Sequence, residues 1–296
     1  MSEKTSPAQV RYETPAPHVA RIVMARPEAH NAQGLQMTYE LNAAFDRAAH
    51  DDAVKVVILA ADGRNFSAGH DLSGDGGHTW RDFPIVGTWA GFEEQGAEAR
   101  YGREMEIYLE MCERWRNLSK PTIAAVQGKC IAGGLMLAWV CDLIVASEDA
   151  SFKDPVLDFG ICGVEFFNHP WELGIRKAKE FLFTAEEISA AEAKECGMVN
   201  RIVPRDRLAA EVLGLAEKIA TKPAFALKAT KQALNHVQDV QGRRNAQMHV
   251  FSLHHLMHAH NELTHGIPVD PNGLPATVRD KVLARTARAR GGKAAE

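Results

Sequence analysis

Apolar and polar residues alternate in short blocks along the first two thirds of the chain. Four apolar runs have the length and the flanking turn residues of buried strands: 18–27, 54–60, 122–127 and 142–147. Helical periodicity lies between them at 35–50 and 98–118, where apolar residues recur on one helical face. Strands that alternate with helices in this way predict an α/β fold with parallel strand pairing and βα crossovers.

Helices dominate the pattern from residue 175 onward. The helical stretches lie at 176–184, 189–196, 206–221 and 223–238, and one strand at 198–203 interrupts them. The sequence therefore predicts an α/β core over 1–205, followed by a helical region over 206–296.

Composition and charge narrow the class of protein. The chain has 296 residues and a net charge of −4, which argues against non-specific binding to nucleic acid, because such binding uses a basic surface. No apolar run approaches the ~20 residues of a membrane helix, and the N-terminal MSEKTSPAQV lacks the apolar core of a secretory signal. The five cysteines are scattered and lack zinc-site spacing. We expect a cytoplasmic protein with neither a membrane nor a nucleic acid as partner.

Two of the predicted strands run into turns of small residues that open towards a helix. The turns lie at 67–69 (Ser-Ala-Gly) and at 132–134 (Ala-Gly-Gly). Small side chains allow a ligand to approach the backbone, and a helix N-terminus presents N–H groups that lack partners. If the two turns face each other, two N–H groups can point at one oxygen and form an oxyanion hole. The alternative is that these are two unrelated tight turns.

Four segments of the chain resemble, in order, the sequence signatures of the crotonase superfamily, also called the enoyl-CoA hydratase/isomerase family. The first two segments are ARPEAHNAQ at 25–33 and NFSAGHDL at 65–72. The third is the long segment KPTIAAVQGKCIAGG…SFKDP at 120–155, and the fourth is LFTAEEISAAEAKECGMVNRIVP at 182–204. Together they cover most of residues 18–240, and four matches in the same order make a chance resemblance improbable.

The resemblance implies a fold, a substrate class and an assembly. The fold would be the crotonase (ClpP/crotonase-like) fold, a spiral of ββα units over 1–205 that carries the CoA and oxyanion site. The helical region 206–296 would pack on this core and on neighbouring subunits, giving a homotrimer or a hexamer built from two trimers. The substrate would be an acyl-CoA thioester, and no separate cofactor is expected, because coenzyme A is part of the substrate.

The resemblance also implies roles for individual residues. The N–H groups of Ala68 and Gly133 would form the oxyanion hole for the thioester carbonyl and stabilise the enolate. The residues that would line the coenzyme A path are Arg26, Ser67, Gly69, His70, Asp71 and Leu72.

The chain departs from the family's hydratases at the two positions where these enzymes carry glutamates. Met136 and Val156 stand there, where they would line the substrate pocket, and neither side chain can transfer a proton. This favours isomerisation, C–C cleavage by a lyase or hydrolase, or another enolate reaction over ordinary water addition, although an atypical hydratase stays open. A different class also stays open, namely a catalytically weak homologue that binds CoA thioesters or acts as a scaffold.

Other residues could supply the acid or base. If the strand after 150 continues, Asp154 and Asp158 share a face with Val156. Glu165 lies among apolar residues, and burial would raise its pKa towards a useful value. The alternatives are a turn-capping role for Asp158 and a solvent-paired surface position for Glu165. His70 and His169 are further candidates, although a lone histidine more often has a structural hydrogen bond.

Two further regions carry suggestive side chains. The long loop 73–94 would border the acyl pocket, with Trp80 and Trp89 shaping it; the alternative is an Ω-loop that packs on itself. His254 and His258 have the i, i+4 spacing of metal ligands on a helix. Because no carboxylate or cysteine partner is evident, we interpret them as part of a surface or interface helix and predict no metal.

Overall fold

The computed structural model describes residues 7–72, 74, 77–276, 278–280 and 282–284. The strands are β1 Val10–Ala16, β2 Val19–Met24, β3 Val56–Ala61, β4 Thr122–Val126, β5 Lys129–Ile131, β6 Leu143–Ser147, β7 Ser151–Lys153, β8 Ile188–Ser189 and β9 Arg201–Val203. The helices are α1 Leu35–His50, α2 Ala97–Glu104, α3 Met111–Arg116, α4 Gly133–Trp139, α5 His169–Leu173, α6 Ile175–Thr184, α7 Ala190–Glu195, α8 Leu208–Ala220, α9 Ala224–Val240 and α10 Arg243–His265. A π-helical segment, Met105–Glu110, joins α2 to α3 without a break.

The main sheet is parallel from β2 onward, as the alternation of strands and helices predicts. Its strand order is β1-β2-β3-β4-β6-β9, and only β1 pairs antiparallel, with β2. A second, small sheet contains β5, β7 and β8. Strands β1, β5 and β8 were not predicted, because β1 is a half-buried edge strand and the other two have two or three residues.

The main sheet is covered on both faces, which explains its continuous apolar strands. On one face the side chains of β2, β3 and β4 pack with α1, α3 and α4 in the larger core. On the other face Val56, Ile58 and Ile123 pack against Leu208 and Val212 of α8. The first helix of the predicted C-terminal region therefore belongs to the core, and the division at 205/206 stays a prediction.

Helices α9 and α10 carry exposed apolar side chains. Leu234 and Val240 of α9 and Leu256 and Leu263 of α10 are all mostly exposed. Across the described part of the chain, no helix combines the length and the apolar character that are needed to cross a membrane.

Candidate active site

The two predicted glycine turns lie against each other beyond the ends of β3 and β4. Gly69 has a φ of +90°, which favours glycine. A Cβ placed there would lie 2.8 Å from the carbonyl oxygen of Ile131 and 3.3 Å from the amide nitrogen of Gly133. The close approach of the two turns is thus confirmed, and it requires glycine at position 69.

The amide of Ala68 is not available to a ligand, which corrects its predicted role. Its N–H donates a hydrogen bond to the carbonyl oxygen of His30 at 2.9 Å. The carbonyl oxygen of Gly69 accepts the N–H of Gln33, and the N–H of Asp71 donates to the carbonyl oxygen of Gln33. This is the usual hydrogen-bond pattern on either side of a bridge between parallel strands.

The backbone N–H of His70, two residues after Ala68, is oriented differently from that of Ala68. In the parallel bridge the N–H of His70 points away from Gln33. Among the groups that the structure describes, no acceptor from another part of the chain bonds the N–H of His70 or of Gly133. Gly133 is the first residue of α4, so its N–H has no acceptor within the helix. Among the described groups, these two N–H groups therefore remain available to an acceptor.

The His70 imidazole lies over the Gly133 turn. A Cβ added to Gly133 would be 2.6 Å from His70 Nε2, so only glycine leaves room for the ring. The ring stacks on Tyr108 with a centroid distance of 3.8 Å. Its Nδ1 lies 3.8 Å from Glu165 Oε1, and its Nε2 is buried without a hydrogen-bond partner among the described residues. The imidazole therefore faces Glu165 with one nitrogen and the Gly133 turn with the other.

Glu165 is buried, as predicted, and lies beside two histidines. The residue is 3% exposed, and its Oε1 is 3.6 Å from His254 Nε2. Burial raises the pKa of Glu165 well above its usual value, and the negative charge of Glu104 adds to this effect. Burial lowers the pKa of His70 to about 4, although the charge of Glu104 acts in the opposite direction. The alternative of a solvent-paired surface position for Glu165 is therefore excluded.

The π-helical segment positions one wall of the site. A π turn contains an extra residue, and such turns are frequent at functional sites. Glu106 is fully buried and accepts hydrogen bonds from the N–H groups of Val86 and Gly87, both at 2.6 Å, which fixes the loop before α2. Glu104 and Tyr108, just before and within this segment, lie next to the histidines of the site.

The histidines of α10 are buried, so a surface position for them is wrong, whereas an interface role for the helix stays a prediction. His254, His255 and His258 are each less than a tenth exposed. Their Nε2 atoms lie 3.7, 3.3 and 3.6 Å from Glu104 Oε2. Glu104 is the carboxylate partner that the sequence did not reveal.

Asp154 and His169 form a separate buried pair. His169 Nε2 is 2.8 Å from Asp154 Oδ2, and both side chains are fully buried. Asp154 also accepts hydrogen bonds from the N–H groups of Val156 and Val164, each at 3.2 Å. His169 therefore has the structural hydrogen bond that was weighed as its alternative.

Asp158 does not share a strand face with Asp154 and Val156, which corrects the argument for it. Strand β7 ends at Lys153, and the following residues form turns, with the Asp158 N–H donating to Pro155 O at 3.0 Å. The side chain of Asp158 is exposed.

The residues predicted to line the coenzyme A path are partly engaged with one another. Arg26 Nη1 lies 2.5 Å from Asp71 Oδ2. Ser67 is fully buried and donates its hydroxyl to Asn31 O at 2.8 Å, so it supports the turn. Leu72 is 44% exposed. Their contact with coenzyme A stays a prediction.

The residues predicted to shape the acyl pocket differ in burial. Met136 is 1% exposed within α4, and Val156 is half-buried against the larger core. Trp80 packs edge-on against Phe92 at 5.1 Å, within its own loop, as an Ω-loop would. Trp89 is 42% exposed and packs on Tyr101. Their role in a pocket stays a prediction.

Two side chains of the site, Glu104 and Tyr108, were missed. In the sequence they belong to an amphipathic helix in which a glutamate usually faces solvent. The one local signal is their i, i+4 spacing, which places both on the same face. The burial of Glu104 depends on α10, whose histidines lie some 150 residues later in the chain.

The parallel sheet, the two opposed glycine turns and the helical C-terminal region define a crotonase-fold protein, as predicted. The enoyl-CoA hydratase/isomerase family model matches residues 15–82 and 89–268, and the chain belongs to this family of acyl-CoA enzymes.

Individual relatives agree with this assignment. The chain is 45% identical to the Mycobacterium tuberculosis protein EchA13, provisionally named an enoyl-CoA hydratase, over 87% of this chain and 83% of that protein. The crystal structure of a probable enoyl-CoA hydratase from Mycobacterium smegmatis matches with a TM-score of 0.79 and 48% identity, covering 88% of this chain and 99% of that one. An enoyl-CoA hydratase/isomerase from Xanthobacter autotrophicus Py2 matches with a TM-score of 0.75 and 33% identity, covering 96% and 99%.

Proposed function

We propose that the protein catalyses an enolate reaction on an acyl-CoA thioester. The thioester carbonyl binds between the N–H groups of His70 and Gly133, which hold the negative charge that develops on its oxygen. One such donor is typically worth ~10²–10³-fold in rate. The close approach of the two turns at Gly69 and Gly133 supports this placement.

The proton is moved by the imidazole of His70. Its Nε2 removes a proton from the carbon next to the thioester carbonyl, which leaves the enolate in the oxyanion hole. The same nitrogen returns the proton to the γ-carbon of a 3-enoyl thioester's dienolate, which completes an isomerisation. Glu165, on the Nδ1 side, stabilises the imidazolium and can itself serve as the acid or base. The observation that carries this proposal is the His70 ring, which lies over Gly133 with Glu165 behind it.

Isomerisation or cleavage of a C–C bond fits this site better than ordinary hydration. Hydration needs two groups that position and activate a water molecule, and Met136 and Val156 cannot do so. Hydration by His70 and Glu165 in a new arrangement is the less favoured form of the same proposal. No separate organic cofactor is required, because coenzyme A activates the α-carbon as a thioester.

The assembly and the location are part of the proposal. The exposed apolar side chains of α9 and α10 support a homotrimer or a hexamer of two trimers. Arg26 and Leu72 would lie along the coenzyme A path, and the protein would act in the cytoplasm.

Enolate formation can be tested without knowing the natural acyl group. We expect the protein to exchange the α-protons of butyryl-CoA for deuterium in D₂O, followed by NMR. It should convert 3-enoyl-CoA to 2-enoyl-CoA faster than it hydrates crotonyl-CoA, followed by absorbance. If it binds CoA thioesters but gives neither exchange nor turnover, the enzyme proposal is wrong and the protein is a CoA-thioester-binding or scaffolding homologue.

A further inference from the structure

A compact group of buried nitrogen and oxygen atoms lies behind Glu165. Ligand atoms of Glu104, His254 and His258 all lie within 4.8 Å of one another. Glu104 comes from the end of α2, and the two histidines lie one turn apart on α10. Four atoms bound to a tetrahedral zinc ion at about 2.0–2.1 Å lie roughly 3.4 Å from one another. Glu104 Oε2 lies 3.7 Å from His254 Nε2 and 3.6 Å from His258 Nε2, and both distances are close to that value.

The hydrogen bonds of the two histidines fix which nitrogen faces the group. His254 Nδ1 lies 2.8 Å from Gly163 O, and His258 Nδ1 lies 2.6 Å from Pro268 O. A carbonyl oxygen can only accept, so Nδ1 carries the proton in both rings and the Nε2 of a neutral ring carries a lone pair. Metal-binding histidines show this same arrangement, in which the second nitrogen is held by a backbone carbonyl.

Several of the atoms that face one another lack a hydrogen-bond partner. Among the described residues, Glu104 Oε2 and His254 Nε2 have no hydrogen-bond partner although both are buried. His255 Nε2, 3.3 Å from the same carboxylate oxygen, is also without one. Lone pairs that converge in a buried space without a donor are unfavourable, and a cation placed between them would satisfy them.

We propose that Glu104, His254 and His258 bind one divalent first-row transition metal ion of the Zn²⁺ class. Two imidazoles and a carboxylate suit such an ion and do not suit Ca²⁺ or Mg²⁺, which take mostly oxygen ligands. Arg100 Nη1, 3.7 Å from Glu104 Oε1, holds the other carboxylate oxygen away from the ion.

The ion would join the helical region to the active site. Glu165 Oε1 is 3.6 Å from His254 Nε2, the same separation as between the ligands themselves. An ion at this point therefore fixes α10 against α2 and lies next to the carboxylate that faces His70. Its position makes it a structural and positioning ion, and no step of the proposed reaction passes through it.

The test is metal binding by the full chain, measured apart from any activity. Protein stripped with EDTA and dialysed is titrated with Zn²⁺ by calorimetry, and with Co²⁺ by visible absorption, which reports the ligand geometry. We expect one equivalent to bind, and a rise in Tm with added Zn²⁺, because an ion that binds only the folded state stabilises it.

Variants decide which side chains bind the ion. Glu104→Gln and His258→Gln should each weaken Zn²⁺ binding by more than ~100-fold, since loss of a supporting partner alone typically costs 10–100-fold. The matched control is His260→Gln, because His260 is an exposed histidine on the same helix. This variant should bind Zn²⁺ as tightly as the parent protein does. The proposal is overturned if the parent protein binds no stoichiometric Zn²⁺ and shows no rise in Tm, a result that needs no variant to fold. It is equally overturned if Glu104→Gln and His258→Gln bind as tightly as His260→Gln.

Discussion

Two buried carboxylate–imidazole pairs lie in the same part of the molecule and differ in how well their polar atoms are satisfied. Asp154 and His169 are 2.8 Å apart, and Asp154 also accepts two backbone N–H groups. Glu165 and His70 are 3.8 Å apart. In the pair of Glu165 and His70, Glu165 Oε2 and His70 Nε2 both lack a hydrogen-bond partner among the described residues. In the pair of Asp154 and His169, only His169 Nδ1 lacks one.

The difference separates a structural pair from one that is suited to chemistry. The hydrogen bonds of Asp154 join residues 154, 156, 164 and 169 and so fix the loop that carries Glu165. Glu165 and His70 keep unused hydrogen-bonding capacity in a buried place, which is costly for folding and useful for binding a substrate. The first pair thus supports the position of the second.

The largest expected effect is on catalysis by the second pair. His70→Asn and Glu165→Gln should each lower kcat for α-proton exchange of butyryl-CoA by about 10²–10⁴-fold, the usual contribution of a general acid or base. The Kd for the thioester should change little, because His70→Asn keeps the backbone N–H of the oxyanion hole. Activity is measured by NMR exchange and binding by calorimetry.

Asp158→Asn is the matched control for these variants. Asp158 is an exposed carboxylate from the same loop, so its replacement should change kcat less than about twofold. A large loss in Asp158→Asn, with activity retained in Glu165→Gln, would reverse the assignment of the two carboxylates.

The next effect is on stability and concerns the first pair. Asp154→Asn should lower the free energy of unfolding by about 1–3 kcal/mol, because the amide nitrogen that replaces one carboxylate oxygen cannot accept that oxygen's hydrogen bonds. Glu165→Gln should change it far less, since Glu165 has few favourable contacts to lose. Urea unfolding followed by circular dichroism measures both. Equal losses in the two variants would remove the distinction between the pairs.

The backbone half of the site could be predicted from the sequence, because it is encoded locally. Small residues after two apolar strands specify turns that only glycine allows, and the resemblance to a family places them opposite each other. The engagement of the Ala68 N–H was not predicted, because its hydrogen bond to His30 depends on a loop that is distant in sequence.

The side-chain half could not be predicted in the same way. Glu104 lies on an amphipathic helix, where a glutamate alone is typical of a solvent-facing position, and the histidines of α10 alternate with apolar residues and so give no clear indication of burial. They become buried only because α2 and α10 pack together, across about 150 residues of sequence. Asp158 was misjudged because the strand before it ends five residues earlier than the argument required.

The smallest expected effect is a change in pH dependence, which tests whether His70 is held neutral by burial. Its pKa is lowered to about 4, so its neutral form should persist below the usual pH 6.5, and kcat/KM for proton exchange should stay level from pH 7 to about 5.5 and fall only towards pH 4. The linked effect on stability has the matching sign. Because the unfolded state binds a proton on this histidine more readily than the folded state does, the free energy of unfolding is fully retained above pH 6.5 and decreases as the pH falls towards 4. The free energy of unfolding should therefore decrease less between pH 7 and pH 4.5 in His70→Asn than in the parent protein. An acid limb of kcat/KM centred near pH 6.5, with unchanged acid sensitivity in His70→Asn, would show that His70 is solvated like an ordinary surface histidine and is not held neutral by burial.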